Sequence, residues 1–344
     1  PTGGVLIAHS SDGVSSLQLR STDGVLTDTL ALSSMGEAIQ WSRVLAHTDG
    51  SYLMGGMVWV DDHPESALVA LDPSGAVVWE RRGDYALVEQ LESGPGSSTL
   101  ALVSPVHNGG HRLIESYGLT GEPQWSLDVG SIGPGDWEDS DPSFAFTPDD
   151  DGGFITLGTR FTAPPDEPGA EAFAVVSRFD QQGVLWSTEV PVDDPEALQL
   201  GVGGVLVVGD RIVAVAGRDR PQVVVLSMDG ALLCQQRIDD PGGADLLLSD
   251  VVPISPDGFI AGGQTWHGSD PDGAWVARFE VIATDDECTR VHVVVSSLLP
   301  AFTPYQLLCA PMRYPDVVDF VTLSNSEYTA TARCDEELMY ILSR

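Results

Sequence analysis

Ala67-Leu-Val-Ala-Leu-Asp72-Pro-Ser-Gly75-Ala-Val-Val-Trp79 is the stretch that decides the fold. Two short aliphatic runs flank an Asp-x-x-Gly turn, the signature of a β-hairpin. The same reading holds for Ala174-Val-Val-Ser-Arg-Phe-Asp180-Gln-Gln-Gly183-Val-Leu-Trp186 and for Gln222-Val-Val-Val-Leu-Ser-Met-Asp229-Gly230-Ala-Leu-Leu-Cys234. Weaker copies run over Leu17 to Leu30, Arg112 to Val129, Ala274 to Val295 and Asp319 to Cys334, which makes seven hairpins. The turn glycines at 24, 75, 121, 183 and 230 recur at intervals of 46 to 62 residues. A four-stranded blade needs about 40 to 50 residues, so seven blades account for the whole chain.

A second unit precedes several hairpins: Asp49-Gly50-Ser-Tyr-Leu-Met-Gly55-Gly56, Asp151-Gly152-Gly-Phe-Ile-Thr-Leu-Gly158 and Asp257-Gly258-Phe-Ile-Ala-Gly262-Gly263. Each reads as a two-residue hairpin turn leading into a strand, with glycine supplying the positive φ. Pro1 to Ala8 looks like such a unit without its first strand, and Leu338 to Ser343 is a lone strand after the last hairpin. The expectation is an all-β, seven-bladed β-propeller of four-stranded antiparallel blades, one domain over residues 1–344. Pairing of the C-terminal strand in the N-terminal blade would close it and remove an exposed sheet edge.

The 344 residues carry 16 basic and 51 acidic side chains, a formal charge of −35, and every basic residue is arginine. Two asparagines and no lysine fit either a GC-rich coding sequence or a saline setting. So negative a field disfavours nucleic acid and anionic lipid. No apolar run approaches the eighteen residues of a membrane-spanning helix. The chain opens at Pro1 with no methionine or leader, which fits a mature, extracytoplasmic form after signal-peptide removal. Cys234, Cys288, Cys309 and Cys334 contain no Cys-x-x-Cys pair, so disulfides are expected before zinc, with 309–334 and 234–288 the first pairing to try among three.

The succession of Asp-Gly-Gly-aromatic strand, loop, strand ending in Asp-x-x-Gly and strand carrying Trp resembles the secreted bacterial and archaeal repeat proteins of quinoprotein-like β-propeller type (PQQ-like repeats). The resemblance implies the scaffold. Catalytic members of that broader group hold their cofactor beside a vicinal cysteine pair and a calcium site; no Cys-Cys occurs here. No cofactor is therefore expected, calcium being the one ion the acidic loops would suit.

No Gly-x-Ser-x-Gly, His-Glu-x-x-His or phosphate-loop motif is present, and His107-Asn-Gly-Gly-His111 reads as a glycine-rich loop. In propellers the loops between second and third strands, and between blades, share one face. Here they are acidic and aromatic: Trp59, Asp61, Asp62 and His63; Trp137 and Asp139; Trp266, His267 and Asp270; with Arg313 adding positive charge. Aromatic rings interleaved with carboxylates suit stacking on a sugar or anchoring a peptide. Trp79, Trp125 and Trp186 fall in the repeat and are expected to pack between blades. The reading is a non-catalytic binding or scaffold protein for a neutral or cationic protein or glycan partner. The alternative is a glycan-active hydrolase or lyase using paired carboxylates such as Asp61 and Asp270.

Overall fold

A computed structural model describes the chain from Gly4 to Pro300. Left outside the description are residues 1–3, 12–13, 22–25, 32–38, 48, 61–62, 84–86, 95–97, 105–111, 130–144, 150, 164–169, 193–201, 218–220, 238–244, 256–257, 268–269, 283–289 and 301–344. The seventh hairpin, the C-terminal strand, Cys288, Cys309 and Cys334 thus lie outside the described residues.

Every described element of regular structure is a strand. β1 (Gly4–Ser11), β2 (Val14–Ser21) and β3 (Leu26–Ala31) form a three-stranded sheet. The other sheets have four strands each, paired antiparallel with their sequence neighbours. The second contains β4 (Ile39–Ala46), β5 (Tyr52–Val60), β6 (His63–Leu71) and β7 (Val77–Gly83). The third contains β8 (Leu87–Ser93), β9 (Thr99–Ser104), β10 (Leu113–Tyr117) and β11 (Pro123–Asp128). In the fourth are β12 (Ala145–Pro148), β13 (Phe154–Phe161), β14 (Ala172–Asp180) and β15 (Gly183–Val192). The fifth has β16 (Val202–Val208), β17 (Arg211–Ala216), β18 (Gln222–Ser227) and β19 (Leu232–Arg237). The sixth has β20 (Asp245–Ser255), β21 (Gly258–His267), β22 (Asp270–Ile282) and β23 (Arg290–Pro300). Up-and-down sheets of this kind are those of a propeller-like fold. The strands divide into two compact units, β1–β11 and β12–β23.

Within each unit the sheets stack face to face, because alternate side chains of a strand point to opposite faces. Val213, Val215, Val223 and Val225 pack with Phe259, Ala261 and Phe279 of the sixth sheet. Their sequence neighbours Ile212, Ala214, Val224 and Leu226 pack instead with Ile155, Leu157, Ala174 and Val176 of the fourth. A sheet buried on both faces needs unbroken aliphatic runs, which is why Arg211-Ile-Val-Ala-Val-Ala216 and Gln222-Val-Val-Val-Leu226 show no polar alternation. In the first unit, Leu53 and Leu68 join Val88, Ala101 and Val103 between the second and third sheets. Met54, Ala67 and Val69 form a separate cluster on the opposite face.

The six described hairpins coincide with six of the seven read from the repeat. All six hairpins carry a register shift in the half of the first strand that leads to the turn, at Leu19/Arg20, Ala70/Leu71, Ser116/Tyr117, Arg178/Phe179, Val225/Leu226 and Arg278/Phe279. The Asp-Gly turn at 49–50 differs from the expected two-residue loop. His47 N–H donates to the Ser51 carbonyl at 2.9 Å and Gly50 N–H to the His47 carbonyl at 3.0 Å, leaving three residues in the loop. A turn followed by a positive-φ glycine, a G1 bulge, satisfies the same twist as a two-residue turn.

The repeat tryptophans explain the spacing of turn and strand. Trp79 Nε1 donates to the Leu119 carbonyl at 2.9 Å, and a Cβ on Gly121 would come within 2.6 Å of the Trp79 ring. Trp186 Nε1 likewise donates to the Met228 carbonyl at 3.2 Å, and a Cβ on Gly230 would lie 2.8 Å from that ring. The ring of one sheet therefore rests on the turn glycine of the next. Trp79 also stacks on Tyr117 at 6.4 Å between ring centroids. Burial and the adjacent Glu115 carboxylate, which accepts the phenol hydrogen bond, push Tyr117 well above the usual tyrosine range. Cys234 takes the Trp79 position, opposite Val225 as Trp79 is opposite Ala70, and is buried in the apolar cluster between the fifth and sixth sheets.

The turn aspartates supply a pH dependence. Asp72 Oδ1 accepts from Ser74 N at 2.8 Å, Ser74 Oγ at 2.6 Å and Ala76 N at 2.9 Å. Hydrogen bonds from Ser51, Ser74 and Ser227 hold Asp49, Asp72 and Asp229 below the ordinary carboxylate value. A lowered folded pKa gives stability that is fully present above the unfolded value, about pH 4, and is lost as pH falls through the folded one. The unfolding midpoint is expected to drop with acidification below about pH 4, and the drop to flatten when all three become asparagine. Parallel acid titrations of both proteins by thermal melting check this; identical slopes would refute it.

Candidate functional site

β5 and β6 are joined through Asp61 and Asp62, with Val60 opposite His63 and Trp59 opposite Pro64. Trp59 is 50% exposed although the strand behind it, Leu53 to Gly56, is buried. His63 is exposed as well. Proline at the cross-strand position offers no N–H, so pairing weakens where the indole turns to solvent. The β21–β22 hairpin repeats the arrangement, with His267 opposite Asp270 and Trp266 opposite Pro271. Both tips read Trp-x-x-x-x-Pro: Trp59-Val-Asp-Asp-His-Pro64 and Trp266-His-Gly-Ser-Asp-Pro271.

Trp59, Asp61, Asp62 and His63 thus belong to one hairpin, and Trp266, His267 and Asp270 to an equivalent hairpin in the other unit. For the second hairpin the backbone pairing is what is described. Asp61, Asp62, Trp137, Asp139 and Arg313 lie outside the described residues. Among the described residues no three His, Cys, Asp or Glu side chains are grouped as a metal site. No helix there is long and apolar enough to cross a membrane.

A second set of polar residues escaped the sequence reading. The first strand of four sheets slips register by one residue at corresponding places: Trp41/Arg43, Val88/Gln90, Val202/Gly204 and Leu248/Asp250. The extra residues are Ser42, Glu89, Gly203 and Ser249. A β-bulge re-aims side chains and is common beside functional sites. Ser42 Oγ donates to the Val88 carbonyl at 2.5 Å and is 3.2 Å from that of Gly55, so the bulges of the second and third sheets adjoin. Arg43 Nη1 donates to the Ser42 carbonyl at 3.0 Å. Glu89 Oε2 lies 3.2 Å from Arg112 Nε, and the two side chains are only 18% and 8% exposed. Gln90 Nε2 donates to Glu92 Oε1 at 2.8 Å. Arg112 directly precedes β10, so this pair lies toward the end of the sheet from which the 105–111 loop leaves. A signal was available: Ile39, Trp41, then Val44 skips one residue of strict alternation, as a bulge requires.

No protein-family model and no curated protein matches the chain. What the structure shows of the resemblance to quinoprotein-like repeats is the all-β fold of antiparallel four-stranded sheets. Of 161 solved chains that match, one is a point mutant of the alpha-L-arabinofuranosidase Arb93A from Fusarium graminearum, in complex with an iminosugar inhibitor. It has 11% sequence identity and a TM-score of 0.46, over 87% of this chain and 95% of that chain. The expectation of a non-catalytic binding or scaffold protein does not match that neighbour, which is named an arabinofuranosidase, and it is not carried further. The physical reason the expectation went astray is that rings beside carboxylates serve sugar binding and sugar chemistry alike, and composition does not separate the two.

Proposed function

We propose that the chain is a glycan-active hydrolase or lyase on a seven-bladed β-propeller, working outside the cytoplasm. The observation that carries this reading is Trp59, an indole half open to solvent at a hairpin tip whose connecting residues are two aspartates. An exposed ring stacks on the apolar face of a sugar, and neighbouring carboxylates reach its hydroxyls or glycosidic oxygen. Asp61 is assigned the acid or base role at this hairpin, and Asp270 the corresponding role at the equivalent hairpin of the other unit. In hydrolysis an acid protonates the leaving oxygen while a base takes a proton from water or a carboxylate attacks the anomeric carbon. Such chemistry requires no cofactor, calcium being the one ion that acidic loops would suit. His63 is assigned to substrate contact on the same hairpin as Trp59, and Trp266 and His267 on the equivalent hairpin of the other unit.

Reducing-end and unsaturated-product assays over a panel of neutral and acidic polysaccharides test the reading. Turnover is expected, Asp61→Asn should abolish it with binding retained, and Trp59→Ala should weaken binding about tenfold or more. Turnover indifferent to Asp61→Asn removes this hairpin from the mechanism, and a panel with no turnover removes the enzyme reading.

The seventh blade is assigned to residues 301–337. Support comes from β1, the edge strand of its described sheet, which occupies the place of a second strand, before the β2–β3 hairpin. A first strand from residues 338–343 would complete that sheet. Deleting Glu337 to Arg344 is then expected to lower the melting temperature by several degrees. A truncated protein that melts like the full chain refutes the pairing.

A further inference from the structure

We propose that the adjoining first-strand bulges of the second and third sheets form a subsite for a sugar carboxylate, with Arg43 as its cation. The substrate class is therefore a uronic-acid-containing glycan, an inference that rests on the glycan reading above.

Three observations lead there. The bulge at Ser42 takes Arg43 out of the alternation that buries Trp41 and Val44 against the apolar cluster of the second sheet. The Ser42 hydroxyl ties this bulge to the one at Glu89, so two polar interruptions of otherwise apolar strands lie side by side. The two arginines of this neighbourhood are then treated differently. Arg112 is matched by Glu89. Arg43 is half-buried, makes its hydrogen bond to its own neighbour's carbonyl, and has no acidic partner among the described residues.

Scarcity of acids does not account for this, since the chain has 51 of them against 16 arginines. Withdrawing a guanidinium from water without a counter-charge is costly, and the planar fork is matched best by a carboxylate. Glu89, already bound by Arg112, is held from taking that place. Ser42 and Gln90, which donate to the Val88 carbonyl and to Glu92 Oε1, make the same pair of bulges polar. The strongly negative surroundings disfavour a dense polyanion, so a short uronic-acid oligosaccharide fits better than a sulfate or phosphate polymer.

Titration calorimetry on the full chain, with trigalacturonate and galactotriose as probes, tests the proposal. Wild type is expected to bind trigalacturonate at least tenfold more tightly than galactotriose. Arg43→Gln, which keeps a donor for the Ser42 carbonyl, should lose about ten- to a hundredfold in affinity for trigalacturonate while its melting temperature and galactotriose binding hold. Arg43→Lys serves as a second variant, with an intermediate loss. Equal binding of the two probes by wild type, or unchanged trigalacturonate binding in Arg43→Gln, overturns the subsite. In that case, turnover of neutral glycans that depends on Asp61 leaves the hydrolase reading standing. Arg43-dependent binding of trigalacturonate without turnover of any glycan has the opposite meaning: the subsite holds and the hydrolase reading falls.

Discussion

Gly230→Ala is expected to destabilise the protein by about 3 kcal/mol, the sum of a non-glycine residue forced to positive φ and an overpacked contact. Gly230 sits at φ +88°, and its added Cβ would lie 2.8 Å from two atoms of the Trp186 ring and 3.2 Å from Thr188 Oγ1. Neither neighbour is positioned to yield: Trp186 Nε1 is bonded to the Met228 carbonyl at 3.2 Å and Thr188 Oγ1 to the Gly230 carbonyl at 2.7 Å. Gly183→Ala is the control. Gly183 also has positive φ, +138°, but nothing stands within 4 Å of its added Cβ. Only backbone strain applies, about 1 kcal/mol. Urea unfolding of the two variants separates the terms; equal losses would mean that the ring contact contributes nothing.

Arg178→Met is expected to cost a similar amount, about 3 kcal/mol, because it leaves a carboxylate buried without its counter-charge. Asp149 is fully inaccessible; its Oδ2 accepts from Arg178 Nε at 2.7 Å, and its Oδ1 from Asp151 N at 3.0 Å and Gly153 N at 2.9 Å. The carboxylate ties the β12–β13 turn together from within, and the guanidinium on β14 neutralises it. Both acids raise the already high pKa of Arg178, which stays charged throughout the accessible range. Asp151 also meets Arg178 at 2.7 Å but is 83% exposed. Solvent screens that pair, so Asp151→Ala should cost less than about 1 kcal/mol. A large loss for Asp151→Ala and a small one for Arg178→Met would reverse this assignment.

Much of the fold was legible because its signals are local. Asp72-Pro-Ser-Gly75, Asp180-Gln-Gln-Gly183 and Met228-Asp-Gly230 each mark a turn between two aliphatic runs, and all three hairpins are present. Trp79 and Trp186 were read as packing between sheets, and they do so through the turn that follows. The turn class was misread because Asp-Gly can open a two-residue loop or close a three-residue one, a choice fixed by backbone twist. Bulges were overlooked for a related reason: one extra residue, such as Ser42 or Glu89, breaks a period-two pattern so briefly that it passes for noise. The site was legible only as a composition. Trp59 stands out as exposed, but its pairing with Pro64, repeated by Trp266 and Pro271, needs the register to be seen. The Glu89–Arg112 pair joins residues 23 apart, beyond any local pattern.

The ring of one sheet resting on the glycine of the next also constrains how such a chain can grow. Trp79 and Gly121, or Trp186 and Gly230, form one contact whose halves are encoded about a repeat apart. A gene duplication that copies a whole repeat, wherever its breakpoints fall in the cycle, regenerates both halves in register and adds a working joint. A duplication of any fractional length leaves an indole facing solvent or a glycine with no ring above it. Lineages built on this joint should therefore gain and lose sheets in whole numbers, with insertions confined to the loops between strands.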